Sequence, residues 1–332
     1  MNRILIIQTA FIGDVILATP IIEKLHQHYP NAKIDFLVRR GNGGLLKDHP
    51  YLNSVFIWKK KTNKYGSLIR LIYLIRSKKY DAVINVQRFF ASGLLTALSG
   101  AKLKIGFRKN PLSFMFDKKI GHKLIGQHET SRNLSLIRDI TDKKYVRPKL
   151  YPREVDYKSI EKYQKLPYLC IAPTSVWASK EFPLLKWAEL IFAQDDKWVI
   201  YLLGGPTDYD ACQELLEICE RKKLINLAGK LHYLASAALM KGAAMNYVND
   251  SAPLHMASAM EAPVNAIFLS TVPSFGFGPL SLKSKVIEVK EELHCRPCGV
   301  VGKTECPLGH FNCAHDIEIN QFDIPEFPKS KP

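Results

Sequence analysis

Short apolar runs alternate with helical patterns along almost the whole chain. In the first half, strand-like runs predict five strands, at residues 4–8, 33–38, 55–58, 81–87 and 104–107. Helical patterns predict helices at residues 65–78, 92–99 and 127–140. Strands that alternate with helices in this way are typical of an α/β fold with parallel sheets.

The pattern loosens near residues 145–168, where Pro148 and Pro152 accompany the charged stretch REVDYKSIEKYQKLP. We place the domain boundary there, with domains at residues 1–150 and 151–332. The alternation then resumes, from the strand-like YLCIAP to KVIEV, and it predicts helices near residues 184–193, 209–221 and 232–241 and from Pro253. The chain therefore reads as two successive Rossmann-like β/α domains that face a central cleft.

The net charge of the chain limits the classes of binding partner but does not identify one. The 332 residues include 47 Lys and Arg against 31 Asp and Glu, a formal net charge of +16. Such an excess favours nucleic acid, an anionic membrane surface or phosphorylated substrates. The N-terminus lacks a signal-peptide layout, and no run approaches the roughly 20 apolar residues that span a bilayer. We expect a cytoplasmic protein that contacts a membrane at most peripherally, at the cytoplasmic face of the inner membrane.

The opening IIQTAFIGDVILATPII resembles a ligand-binding edge. A strand leads into a turn with Gly13 and Asp14, and a helical pattern follows with a break at Pro20. In α/β folds such strand-to-helix turns present ligands. The G-x-G-x-x-G fingerprint is absent, which argues against a nicotinamide dehydrogenase. Taken alone, Asp14 can also serve as an N-cap of the helix.

The segment YVNDSAPLHMASAMEAPVNAIF predicts an anion site. A strand ends at Asp250, and a helix begins with Ser251 or Ala252 as its cap and Pro253 in its first turn. Free backbone N–H groups and the positive end of the dipole favour an anion there, and His255 lies one turn further on. The alternative is that Asp250 and Ser251 only cap the helix.

Two further strand ends carry polar groups. APTSVWASKEFP supplies the hydroxyls of Thr174 and Ser175 and the ammonium of Lys180, which is either a phosphate counter-charge or simply solvated. LLGGPTDYD adds two glycines for close backbone approach and Asp208 as an acceptor for a ribose or base. Three such neighbouring strand ends predict a nucleotide-diphosphate pocket.

Taken together, these segments resemble glycosyltransferase family 9, the ADP-heptose:lipopolysaccharide heptosyltransferases of Gram-negative bacteria, which have the two-domain GT-B fold. The resemblance is carried by FIGDVILATP, NVQRFFASG, QHETSRN, SVWASKEFP, LLGGPTD and NDSAPLHMASAMEAPV. It implies an inverting transfer of heptose from ADP-heptose to a lipopolysaccharide inner-core acceptor. The family often has Asp-Thr-Gly where this chain has Asp250-Ser251-Ala252.

The resemblance also implies roles for individual residues. Asp14 becomes the catalytic base, and Lys180 with the helix after Asp250 stabilises the leaving diphosphate without a required cofactor or metal. The residues expected to face the donor are Thr174, Ser175, Lys180, Asp208, Asp250, Ser251, Ala252 and His255. The basic residues expected to contact an anionic acceptor are Arg39, Arg88, Arg108 and Arg132, with Arg40 and Lys104 nearby.

Four of the seven cysteines cluster in HCRPCGVVGKTECPLGHFNCAHD, residues 294–316, here called the thiol segment. Cys295, Cys298, Cys306 and Cys313 match the ligand count of a structural zinc site, but the second pair is widely spaced. Plain or redox-labile thiols are the alternative. In either case we expect a loop near the domain junction, away from the reaction centre. The other three cysteines, Cys170, Cys212 and Cys219, are expected to be buried.

Two interpretations compete for the remaining basic residues. In WKKKTNKYGSLIRLIYLIRSKKY, Lys59, Lys60 and Lys61 precede an apolar stripe of Leu68, Leu71, Ile72 and Ile75. This predicts either a membrane-surface contact or a helix that packs on its own sheet. A basic nucleic-acid-binding protein is the rival for the whole chain, although the sequence contains no RNA-binding motif.

Overall fold

The computed structural model describes residues 1–59 and 64–328, in two compact units, Met1–Tyr151 (unit 1) and Pro152–Pro332 (unit 2). The division falls one residue beyond the predicted boundary. Lys60 and Lys61 of the basic run lie outside the described residues. No helix of the described residues is long and apolar enough to cross a membrane.

Unit 1 is built on one parallel sheet. Its strands are β1 (Arg3–Ile7), β2 (Lys33–Arg39), β3 (Ser54–Trp58), β4 (Ala82–Asn85), β5 (Leu103–Phe107) and β6 (Lys118–Ile120). Its helices are α1 (Ile12–His28), α2 (Lys64–Ser77), α3 (Phe90–Ala97) and α4 (Glu129–Ser135). The strand order is β3-β2-β1-β4-β5-β6. The sequence did not predict β6, because three residues with two lysines show no apolar pattern.

Unit 2 repeats the architecture. Its strands are β7 (Tyr168–Ala172), β8 (Val199–Leu202), β9 (Leu224–Asn226), β10 (Asn246–Asn249), β11 (Val264–Ile267) and β12 (Ser284–Ile287). Its helices are α5 (Glu154–Ile160), α6 (Leu184–Phe192), α7 (Tyr209–Cys219), α8 (Tyr233–Gly242), α9 (Ala252–Ala259) and α10 (Asn312–His315). The order is β12-β11-β10-β7-β8-β9, again parallel.

The two sheets share one topology. Counted from the first strand of each unit, both have the order 3-2-1-4-5-6. In such doubly wound sheets ligands bind at the carboxyl ends of the two strands where the order reverses. Those strands are β1 and β4 in unit 1, and β7 and β10 in unit 2.

The predicted linker contains a helix that the sequence pattern did not show. α5 begins after Arg153, whose N–H donates to the Asp156 carboxylate at 2.7 Å and whose guanidinium pairs with the same group at 3.0 Å. A local cap, not an apolar pattern, therefore stabilises its first turn. The predicted helix at 127–140 is shorter than expected, because α4 ends at Ser135 and only a 3₁₀ turn follows at 138–140.

The core of unit 1 accounts for the apolar stripe of α2. Leu68, Leu71 and Ile75 are buried together with Leu5 and Trp58. The stripe therefore packs on its own sheet, which favours the second of the two interpretations given above. What remains outside on α2 includes Ile69 and Tyr73, which are exposed.

Residues near the end of the described chain complete the core of unit 2. Phe322 packs against Phe182, with 6.0 Å between ring centroids. The Tyr247 hydroxyl donates to the Asp323 carbonyl at 2.8 Å, and Trp198 Nε1 donates to the Pro325 carbonyl at 3.3 Å. Unit 2 therefore contains contacts from Phe182, Trp198 and Tyr247 to residues more than 70 positions later.

Candidate active site at the switch points of two sheets

At the switch point of unit 1, three buried side chains form a polar network. Gln8 and Thr9 follow β1, and Gln87 follows β4. Thr9 Oγ1 donates to Gln87 Oε1 at 2.7 Å, and Gln87 Nε2 donates to Gln8 Oε1 at 2.7 Å. Asn110 Nδ2 donates to the Gln87 carbonyl at 3.1 Å. These bonds fix the loop between β1 and α1, which precedes Asp14, and the loop after β4, which carries Arg88.

Asp14 lies in the first turn of α1, three residues after the N-cap position, which Phe11 occupies. Its Oδ2 atom accepts the N–H of Phe11 at 3.2 Å, so it caps the helix without being the N-cap residue. Burial raises the pKa of Asp14 to about 6, and the charge of Glu129 adds to the rise, although backbone hydrogen bonds and Arg39 oppose it. A carboxylate with such a pKa is a stronger base than an ordinary aspartate.

Glu129, the first residue of α4, supplies a fixed negative charge beside that carboxylate. Its Oε2 atom accepts a hydrogen bond from Arg132 Nε at 2.6 Å and lies 3.8 Å from His122 Nε2. Burial acts to raise the pKa of Glu129, but hydrogen bonding to His122 and the Arg132 charge outweigh it and lower the pKa. Asn133 Nδ2 donates to the Leu17 carbonyl at 3.0 Å and so holds α4 on α1.

The structure gives Arg132 an internal role in place of the predicted acceptor contact. Its side chain is 1% exposed. Its Nη1 atom donates to the carbonyls of Lys123, Leu124 and Gln127 at 3.2, 2.8 and 2.7 Å. A guanidinium used in this way does not face a ligand, so Arg132 positions Glu129 instead.

The other predicted acceptor residues lie at the carboxyl edge of the sheet. Arg39 ends β2 and its guanidinium lies 4.6 Å from the centroid of the Phe11 ring. Arg88 and Arg108 are exposed after β4 and β5. Lys104 does not belong with them, because it is the second residue of β5 and forms an ion pair with Asp117 at 3.2 Å. Arg40, directly after β2, is exposed.

At the switch point of unit 2, the structure brings together Lys180 and Asp250. Lys180 Nζ lies 2.6 Å from Asp250 Oδ2, and both side chains are largely buried. The same oxygen accepts a hydrogen bond from Thr271 Oγ1 at 2.6 Å. The predicted phosphate counter-charge is therefore held by an acid and is not a freely solvated lysine.

The start of α9 lies beside this pair. Ser251 occupies the N-cap position in an extended conformation, Ala252 is the first helical residue and Pro253 follows. The Ser251 side chain makes no cap bond, and its buried Oγ atom has no hydrogen-bond partner among the described residues. His255 is buried one turn further on. The first N–H groups of α9 and an unsatisfied hydroxyl suit an anionic ligand.

The remaining residues predicted to bind the sugar donor differ in whether their side chains are free to contact a ligand. Thr174 and Ser175 are partly exposed just after β7, at the same switch point. Asp208 instead accepts the N–H of Gly205 at 2.6 Å and so caps its own turn. A role for Asp208 in binding a ribose or base stays a prediction.

Sequence reasoning missed several residues that hold the site. Asn249 Nδ2 donates to the Pro173 carbonyl at 2.8 Å, and its Oδ1 accepts the Phe182 N–H at 3.1 Å. Thr271 was missed as well, and so was the network of polar side chains after β1 and β4. The available signal was position, since a polar residue directly after a buried strand lies at the binding edge of a parallel sheet.

The thiol segment lies against the loop between β7 and α6. Lys303 and Ser179 exchange two hydrogen bonds, at 3.1 and 2.8 Å, so the segment contacts the loop that carries Lys180. The segment therefore lies beside the predicted donor residues, and its distance from the reaction centre stays a prediction. Among the described residues, no three His, Cys, Asp or Glu side chains are grouped to hold a metal ion. Cys170, Cys212 and Cys219 are buried, as predicted.

Comparison with known proteins identifies the class. The model of "Glycosyltransferase family 9 (heptosyltransferase)" matches residues 68–308. The chain belongs to glycosyltransferase family 9. Lipopolysaccharide heptosyltransferase 3 of Escherichia coli (strain K12) is 30% identical over 282 residues, which cover 78% of this chain and 80% of that protein. The predicted family and enzyme class are confirmed, and the dehydrogenase and nucleic-acid-binding alternatives are set aside.

Solved structures share the fold of this family 9 chain. The E. coli ADP-heptose lipopolysaccharide heptosyltransferase II aligns with a TM-score of 0.77 and 22% identity, over 90% of this chain and 96% of that one. E. coli heptosyltransferase WaaC, solved with ADP, aligns with a TM-score of 0.71 and 22% identity, over 86% of this chain and 92% of that one. The predicted GT-B-like α/β fold is confirmed.

Proposed function

We propose that this family 9 enzyme transfers heptose from ADP-heptose to a lipopolysaccharide inner-core acceptor with inversion at the anomeric carbon. The observation that carries the proposal is the pair of switch points, one with a carboxylate of raised pKa and the other with a buried lysine beside a helix N-terminus. The names of the relatives support the choice of donor and acceptor, since they include a lipopolysaccharide heptosyltransferase and a heptosyltransferase with ADP.

The mechanism needs a base for the incoming hydroxyl. Asp14 takes that role in the proposal, because its carboxylate is ionised above about pH 6 and still has a high proton affinity. The acceptor hydroxyl loses its proton to Asp14 as its oxygen bonds to the anomeric carbon. The bond from that carbon to the diphosphate breaks on the opposite face, which inverts the configuration.

The leaving group is stabilised by unit 2 in the same proposal. As the glycosidic bond breaks, negative charge grows on the diphosphate of ADP. Lys180, the first N–H groups of α9 and the Ser251 hydroxyl supply positive charge and donors without a metal. Asp250 holds the lysine ammonium in place at 2.6 Å.

Unit 1 is the proposed acceptor side because charge is divided unevenly between the units. Residues 1–151 contain 28 Lys and Arg against 9 Asp and Glu, and residues 152–332 contain 19 against 22. Arg39, Arg88 and Arg108 lie at the carboxyl edge of the unit 1 sheet. An acceptor with carboxylates and phosphates matches this charge.

A peripheral contact with the anionic face of the inner membrane follows from the same charge. The apolar stripe of α2 is buried, but Phe89, Phe90 and Phe114 are exposed near Arg88 and Arg108. Co-sedimentation with anionic vesicles at low salt tests this contact, which should fade with salt. Arg88→Gln and Arg108→Gln should weaken binding, and Lys222→Gln in unit 2 is the control. Binding that is absent or indifferent to the first two changes refutes the contact.

The function itself is tested by product formation. Purified protein with ADP-heptose and a defined inner-core acceptor should release ADP and form one new glycosidic bond, whose configuration is read by NMR. A product with retained configuration would refute the inverting mechanism. ADP at a hundred times its Kd should raise the free energy of unfolding by about 2.7 kcal/mol, whereas NAD and an oligonucleotide should not.

A further inference from the structure

One carboxylate oxygen joins three parts of the proposed donor site. Asp250 Oδ2 accepts hydrogen bonds from Lys180 Nζ and Thr271 Oγ1, each at 2.6 Å. Asp250 follows β10, Thr271 lies beyond the end of β11, and Lys180 comes from the loop between β7 and α6. The position of the lysine therefore depends on where the chain after β11 is held.

That chain is held by an arginine of the thiol segment. The Arg296 guanidinium donates to the carbonyls of Leu269 and Thr271 at 2.6 and 3.0 Å. It also donates to the Phe268 carbonyl at 3.2 Å and forms an ion pair with Glu288 at 2.6 Å. A guanidinium that donates to three carbonyls of one turn fixes the path of that turn.

The loop that carries Lys180 is held by the same segment. The Ser179 N–H donates to the Lys303 carbonyl at 3.1 Å, and the Lys303 N–H donates to Ser179 Oγ at 2.8 Å. Ser179 Oγ lies 2.9 Å from Ser270 Oγ. The Ser270 carbonyl in turn accepts the Cys298 N–H at 2.9 Å. Ser179 is 2% exposed, so water does not replace these partners.

Gly302 allows the thiol segment to approach the loop that carries Lys180 this closely. A Cβ atom on Gly302 would lie 2.4 Å from Trp177 Cβ and 3.0 Å from Lys180 Cγ. Side chains do not tolerate the first distance, so any other residue at 302 must displace the loop. The backbone of the thiol segment therefore packs directly against the stem of the lysine.

We propose that residues 296–303 form a latch that sets the position of Lys180 and Asp250, with Ser179 and Thr271 as its positioning residues. The proposal rests on the proposed donor site and deepens it. In physical terms, the latch fixes the ammonium before the diphosphate arrives, so that less ordering accompanies binding. The thiol segment thereby becomes part of donor recognition.

The test compares variants that keep the shape of the side chain and change its hydrogen bond. Thr271→Val removes the hydroxyl, and Thr271→Ser retains it. Ser179→Ala removes the hydroxyl that bonds to the Lys303 N–H and to Ser270 Oγ, and keeps the backbone bond from the Ser179 N–H to the Lys303 carbonyl. Ser281→Ala is the matched control, because this buried hydroxyl donates to the Ala257 carbonyl at 3.2 Å, outside the network. ADP affinity by calorimetry, kcat and KM for each substrate, and Tm are measured for all four.

We expect Thr271→Val and Ser179→Ala to weaken ADP binding about tenfold and to raise the donor KM, with the acceptor KM unchanged. Thr271→Ser should restore affinity, and Ser281→Ala should match the parent. A merely structural role would lower Tm without this split between the two KM values.

Lys180→Ala separates failure of the latch from failure of the donor site. If Lys180→Ala weakens ADP binding but Thr271→Val and Ser179→Ala bind as the parent does, the latch is refuted and the donor site stands. If Lys180→Ala binds ADP normally, the donor assignment is wrong and the latch falls with it. An equal loss in Ser281→Ala also refutes the latch, because the effect is then not specific to the network.

Discussion

The two sheets have the same strand order, yet their switch points carry different charged groups. In unit 1 the edge holds a carboxylate whose pKa burial raises to about 6, with Glu129 adding to the rise. In unit 2 it holds a lysine paired with an acid at 2.6 Å beside a helix N-terminus. One topology thus presents a carboxylate of raised pKa in the first unit and a lysine–aspartate pair in the second.

This difference shows where the chemistry is encoded. Strand order places both sites, but the residues in the loops and first helical turns that follow the strands differ between the two units. Charge composition follows the same division, with 28 basic and 9 acidic residues in unit 1 against 19 and 22 in unit 2. Separate variants at the two edges should therefore have separable effects.

Removal of the base should have the largest effect. Asp14→Asn is expected to lower kcat by roughly 10²–10⁴-fold, since a positioned base contributes that much. ADP affinity should change little, and Tm at pH 7 should not fall, because burial makes the ionised carboxylate unfavourable in the fold. Steady-state kinetics and calorimetry measure both. Asp117→Asn is the control, because Asp117 directly precedes β6 and so lies at the amino ends of the strands, away from the carboxyl edge. A folded Asp14→Asn enzyme with normal kcat would remove Asp14 from the mechanism.

Removal of the Lys180 ammonium in unit 2 should have the second largest effect. Lys180→Ala is expected to weaken ADP binding by about ten- to a hundredfold and to lower kcat as well, because the product and the transition state share the diphosphate charge. Lys186→Ala, whose side chain pairs with Glu189 on α6, is the matched control. Isothermal calorimetry with ADP decides the matter, and equal affinity in parent and Lys180→Ala would leave Lys180 without a role.

The pH dependence should show a smaller effect with a definite sign. The base works only when ionised, so kcat/KM should be constant above the pKa of Asp14, about 6, and fall about tenfold by pH 5. Arg39 lowers that pKa, so Arg39→Gln should move the acid limb to higher pH. Rate profiles between pH 4.5 and 8, roughly the range around this pKa, test both statements. Both expectations fail if the acid limb of the kcat/KM profile lies near pH 4, and the second fails if Arg39→Gln leaves that limb at the same pH.

The smallest expected effect concerns metal. Among the described residues, no three His, Cys, Asp or Glu side chains are grouped to hold a metal ion, and burial raises the pKa of the Cys313 thiol to about 12. Cys295 Sγ contacts His310 Nε2 at 3.9 Å, and Cys298 Sγ donates to the Cys295 carbonyl at 3.3 Å. We expect metal analysis of reduced protein to give well below one zinc per chain, and chelator to leave Tm and ADP affinity unchanged. About one equivalent of zinc, with Tm lost to chelator, would establish a structural site instead.

Much of the fold was predictable because it depends on local apolar patterns. Short buried runs such as those in β1 and β7 identify parallel strands, and polar residues after them identify the binding edge. The same logic placed Lys180 and Asp250 at neighbouring strand ends, but their ion pair at 2.6 Å was not predicted. The internal use of Arg132 was not predictable, since its partners are backbone carbonyls, which have no sequence signature. The contacts of the thiol segment were not predictable either, because Ser179 and Lys303 are far apart in the chain.

The tail contacts of unit 2 have a consequence for synthesis on the ribosome. All six strands of unit 1 lie within the first 151 residues, so this unit can fold while the rest of the chain is still being made. Unit 2 cannot complete its core until residues 322–325 have left the ribosome. Phe322 packs on Phe182, and the carbonyls of Asp323 and Pro325 accept hydrogen bonds from Tyr247 and Trp198. Until then its apolar strands lack their last covering residues. The nascent chain thus passes through a stage in which the basic unit 1 is complete while unit 2 still lacks the residues that complete its core.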